Sequence, residues 1–171
     1  MLAAGAALVA AASLAPVPGR ATPPGLGARL GLASTAFAAG WVHLLLAPEH
    51  WGESAILGVG FLGAGLLQLA LAIAIVARPT LPAHFALVVL NVALVVIWLY
   101  AVFVGLPLGE VHDHTAGGWV VGAGEPITPA AAVAKAAEIA GALWAGAMAC
   151  RAAPADAAVR RSPDRLGAAA R

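Results

Sequence analysis

Two histidines and two glutamates crowd into the stretch from Trp41 to Glu53, W-V-H-L-L-L-A-P-E-H-W-G-E, in a chain with only five histidines and eight acidic residues. His43, Glu49, His50 and Glu53 together offer imidazole nitrogen and carboxylate oxygen, the ligand set of first-row transition metals such as zinc or copper. His50 and Glu53 are three apart and share a face wherever the chain is helical. His43 and His50 are seven apart and align if Pro48 only kinks the chain. The expectation for Pro48 itself is that it stops the helix or opens a turn. A second cluster, His112-Asp113-His114, points two imidazoles the same way if extended, because alternate residues of a strand share a face. Candidate metal ligands are therefore His43, Glu49, His50, Glu53, His112 and His114. The competing reading is a hydrated collar of amphipathic residues at a membrane surface.

A different chemistry is carried by Lys135 and Glu138, three apart on one helical face. Counted from Thr128 they lie about 10 and about 15 Å along a helix. Ions at that depth turn toward other helices and find partners. They read either as a structural ion pair or as a proton or ion relay. His43 lies at a depth similar to Lys135, so inward-facing first and fourth helices would set His43, Lys135 and Glu138 in one polar track. Gln68 and Asn91 are the other polar groups at membrane depth, and hydrogen bonding between helices is their expected role.

The elements that must position these residues follow from composition. The chain has 171 residues, of which 62% are hydrophobic and 10% charged, and its mean hydropathy is +0.93. Soluble domains carry about a quarter charged residues, so a soluble fold lacks the polar surface it would need. The expected fold class is all-α, a polytopic membrane protein with four transmembrane helices in a bundle. The spans are expected at about 29–47, 55–77, 83–105 and 128–150, each of spanning length. Thr128-Pro129 opens the fourth with a capping hydroxyl and a first-turn proline. Residues 1–27 read as an apolar N-terminal segment followed by a Pro/Gly linker, residues 28–150 as the membrane domain, and residues 151–171 as a disordered basic tail. Eight of the nine basic residues (Arg20, Arg29, Arg78, Arg151, Arg160, Arg161, Arg165 and Arg171) fall on one side of this topology. The positive-inside rule then places both termini in the cytoplasm. Glu49, His50, Glu53, Glu110, His112, Asp113, His114 and Glu125 lie outside, with Trp41, Trp51, Trp98, Tyr100 and Trp119 as an aromatic belt at that level.

Several chemistries are excluded. One cysteine, Cys150, gives no disulfide framework and no Cys-rich metal site. Gly58-Val59-Gly60-Phe61-Leu62-Gly63 matches a dinucleotide fingerprint in spacing only, since no strand precedes it. Its glycines, with Ala64 and Gly65, instead suit close helix contact, as do Gly141, Ala145 and Gly146. There is no nucleophile elbow, phosphate loop or c-type haem motif, and no basic surface for nucleic acid.

The pattern of His43, Pro48-Glu49-His50 and Glu53, then Asn91 before Trp98, Gly105-Leu-Pro107-Leu-Gly109, Glu125-Pro126 and Glu138 resembles a group of small, uncharacterised four-helix membrane proteins of high-GC bacteria. The likeness covers about residues 29–150. It supports the four-span topology and little else, and brings no activity with it; the expected location is the bacterial cytoplasmic membrane. Two functions stay open: a non-enzymatic accessory subunit holding a transition metal or redox cofactor at its outer face, or a small transporter or relay using Lys135 and Glu138. The lipid bilayer is the expected partner, with other membrane subunits or a second copy of the chain beside it. An enzyme is the less favoured reading, since no nucleophile–base pair can be assembled.

Overall fold

The computed structural model describes residues 25–106, 119–122 and 124–161, with side chains to Arg151 in the last segment. Four helices account for most of it: α1 (Leu26–Glu53), α2 (Ala55–Ala77), α3 (Leu81–Phe103) and α4 (Pro129–Arg161). Each is long and apolar enough to cross a membrane, α4 over Pro129–Arg151. At 1.5 Å per residue the 23 residues of α2 and of α3 reach about 35 Å, enough for the hydrocarbon core. Large apolar side chains such as Phe37, Leu45, Ile56, Ile73, Phe85 and Leu143 stand more than half exposed. In water such a surface would aggregate, whereas lipid solvates it. These are the features of a multi-pass membrane protein.

The helix ends are set by polar residues at the few places the apolar pattern breaks. Ser54 is extended and is the whole connection between α1 and α2; its hydroxyl accepts from the Ile56 amide at 3.3 Å. Thr80 accepts from the Ala83 amide at 3.2 Å to start α3, with Pro82 in the first turn. Thr128 accepts from the Ala131 amide at 3.1 Å to start α4. At the end of α3, Gly105 adopts φ 91°, a left-handed turn that an L side chain rarely takes. The incoming chain then folds back on that end. Gly124 and Glu125 donate their amides to the Val102 and Ala101 carbonyls at 3.0 and 3.1 Å, which pairs backbone groups a helix end otherwise leaves orphaned.

Two expectations are corrected. Pro48 does not stop α1, which runs on to Glu53. A proline removes one backbone hydrogen bond and crowds the preceding turn, but packed neighbours can hold the turn that follows. Trp51, in that turn, lies so close to Gly58 of α2 that a Cβ there would sit 2.7 Å from the Trp51 backbone. The tail after Arg151 is likewise not irregular throughout, because α4 continues to Arg161; Ala and Arg are strong helix formers. Residues 1–24 and 162–171 lie outside the described residues.

α1 packs most extensively on α2, α3 on α4, and α1 also meets α4, with a lighter contact between α2 and α3. α1 and α2 approach closely at Gly40 and Gly65. A Cβ on either would sit 2.9 or 2.8 Å from the other's carbonyl oxygen. Toward the end where α1 and α3 begin, Leu32, Leu71, Ile75 and Leu87 are fully buried and pack with Ala33, Ala36, Ala72, Ala83 and Ala145.

Candidate functional site: a polar centre shared by four helices

All four helices send polar side chains to one level next to that apolar layer, farther from the ends where α1 and α3 begin. His43 comes from α1, Gln68 from α2, Asn91 from α3, and Lys135 and Glu138 from α4. Each is at least nine-tenths buried, and Gln68, Asn91 and Glu138 have no exposed surface. Lys135 Nζ donates to Glu138 Oε2 at 2.6 Å and reaches the Leu94 carbonyl at 3.5 Å. The other oxygen, Oε1, lies 3.5 Å from both His43 Nε2 and Gln68 Nε2. Close approach of the helices depends on Gly141, where a Cβ would sit 2.8 Å from both Asn91 Nδ2 and Thr35 Oγ1.

Where the hydrogens lie follows from groups that can only accept. Asn91 contacts the backbone carbonyl of Glu138 at 3.1 Å, so the atom there is its NH2. Its Oδ1 therefore faces Gln68 and accepts from Nε2 at 3.2 Å. That orientation leaves Gln68 Oε1 buried without a hydrogen-bond partner. His43 Nδ1 lies 2.9 Å from the Ala39 carbonyl, so Nδ1 carries the ring hydrogen and Nε2 of the neutral ring is a bare lone pair. With Glu138 ionised, two acceptors then face each other across 3.5 Å with no hydrogen between them. A proton on His43 Nε2 or on Glu138 Oε1 completes the network.

The sequence-derived metal collar does not assemble in the same way. His43 faces Glu138, Glu49 is exposed, and Glu53 is partly exposed. His50 directs Nδ1 to the Leu46 carbonyl at 3.0 Å and stacks on Phe61 with ring centroids 3.7 Å apart. Phe61 also meets His43, at 5.4 Å, so it bridges the two rings along α1. Among the described residues there is no group of three or more His, Cys, Asp or Glu placed to hold a metal ion. Glu110, His112, Asp113 and His114 lie outside the described residues.

Sequence reasoning passed over two groups. Phe61 looked like one more apolar residue of a spanning helix. His84, in the first turn of α3, is 5% exposed; its spacing of seven from Asn91 is the available signal, since seven residues return to one helical face. The chain matches no protein-family model, no curated protein and no solved structure.

Proposed function

We propose that this protein is a four-helix membrane bundle, with both termini cytoplasmic, that relays protons through the His43–Glu138 pair. The observation that carries the reading is a fully buried carboxylate, Glu138, reached by side chains of α1, α2 and α4 and facing a bare imidazole nitrogen. Intramembrane ionisable groups in such a setting mark proton and ion pathways. His43 and Glu138 pass a proton between Nε2 and Oε1, Lys135 holds the carboxylate in place through Oε2, and Gln68 and Asn91 fix the carboxylate's position without titrating. The stacked His50 and Phe61 lead from the centre toward the outer collar, and the leucine-rich layer closes the inner side. The arginine distribution supports the orientation, and the bacterial cytoplasmic membrane is the proposed location.

Proton uptake into liposomes carrying purified protein, driven by a pH or potential gradient and read with an enclosed dye, tests this. Wild type is expected to conduct and Glu138→Gln to fall to the level of empty liposomes. Equal flux in the two, or none in wild type, refutes the relay. A stoichiometric transition metal in the purified protein, lost in His50→Ala, would instead establish a cofactor subunit with its site at the outer face.

A further inference from the structure

His84 is buried on the inner half of α3, away from the centre just described, and nothing in the relay so far uses it. Its Nδ1 lies 2.7 Å from the Thr80 carbonyl, an atom that only accepts, so Nδ1 holds the hydrogen and Nε2 is a bare lone pair. That nitrogen is buried and has no hydrogen-bond partner. A buried acceptor left unmet is destabilising, and buried polar groups in proteins are nearly always satisfied. The arrangement repeats the one at His43, where Nδ1 binds the carbonyl four residues earlier and Nε2 is left free for a proton.

Position along the helix gives that free nitrogen a use. His84, Leu87 and Asn91 are spaced three and four apart on α3, so they share one face. His84 is thus about 10 Å, two turns, inward of the polar centre. Leu87 stands between them, fully buried within the leucine-rich layer. Among the residues whose side chains are described, no acid and no other histidine lies at this end. The charged groups there are Arg29 of α1, whose Nη1 donates to the Val76 carbonyl at 2.9 Å, Arg78 between α2 and α3, and Arg151 of α4, beyond which α4 carries Asp156, Arg160 and Arg161. The α2 and α4 segments inward of Gln68 and Glu138 carry no charge before Arg78 and Arg151.

We propose that His84 is a second proton-binding site, on the inner side of the same relay, separated from Glu138 by the side chain of Leu87. Nε2 accepts a proton from the inner aqueous phase or returns it there. Exchange with the centre needs Leu87 to move aside, since a gap of that length exceeds a single hydrogen-bond hop. The inference rests on the relay reading for its direction, but the site itself can be observed without any flux.

Nitrogen-15 labelled histidine in wild-type protein, reconstituted with one orientation in liposomes, reports each ring by NMR. The His84 Nε2 signal is expected to move when the inner-side pH is lowered and to stay still when only the outer-side pH is. No movement, or movement with outer pH, overturns the proposal. In the flux assay His84→Gln is expected to fall to background and Leu87→Ala to conduct faster than wild type. Wild-type conduction by His84→Gln, with Glu138→Gln silent, overturns the inner site and leaves the relay standing. Conduction by Glu138→Gln overturns the relay, and the NMR result then decides His84 alone.

Discussion

Glu138 and Lys135 are the two residues whose removal should differ most from each other. Glutamine at position 138 keeps an oxygen for Lys135 to donate to, and its NH2 can supply the hydrogen that His43 Nε2 lacks. Glu138→Gln should therefore fold, at a smaller cost than Lys135→Ala, because the Lys135 ammonium keeps an acceptor. Lys135→Ala instead strands the acid among His43, Gln68 and Asn91 with its strongest donor gone. Breaking one partner of a buried pair costs ~3–5 kcal/mol, so thermal unfolding in detergent should shift well downward. The two effects should not add. In the Glu138→Gln background the Lys135→Ala penalty should largely vanish, because no acid remains to strand. An undiminished penalty in the double variant would show that Lys135 acts through packing instead.

At the scale of helices, the glycines of α2 separate contact from mere composition. A Cβ on Gly65 would meet the Gly40 carbonyl and Leu44, whereas Gly60 and Gly63 have nothing within 4 Å. Gly65→Ala should then push α1 from α2 and lower stability by ~1–3 kcal/mol, as overpacking does. Gly63→Ala should leave stability unchanged or raise it by up to ~1 kcal/mol through helix propensity. Equal effects at the two positions in a detergent melt would contradict the packing described. The sequence carried the run of small residues plainly but hid which of them face α1, because a helix apolar on all sides has no polar face to orient it. The same limit explains the rest of what was legible. Helix number and approximate ends followed from apolar length, and the start of α4 from Thr128-Pro129. The inward turn of Lys135 and Glu138 followed from the cost of ions in lipid. The meeting of His43 with Glu138 depended on helix rotation and adjacency, which only packing decides, and Pro48 was misread because a local helix-breaking preference yielded to contact with α2.

At the scale of the whole molecule, the arginines that flank the helices, Arg29, Arg78 and Arg151, stand at the ends where α1 and α3 begin and α2 and the α4 span finish. A reporter that is active only in the cytoplasm should work when fused after Arg151, and an export-dependent reporter should be silent there; the reverse result would invert the orientation. The order of the spans also bears on how the protein is made. α4 is the least apolar of the four, with a mean hydropathy of 1.2 over its best window against 1.6, 2.3 and 2.6 for α1 to α3, and it alone carries ions at depth. It also leaves the ribosome after the other three. When Lys135 and Glu138 reach the bilayer, His43, Gln68 and Asn91 have already been synthesised ahead of them. Insertion of α4 is therefore docking onto a waiting surface as much as partitioning into lipid, so the chain's least membrane-soluble helix arrives when its partners are ready to receive it.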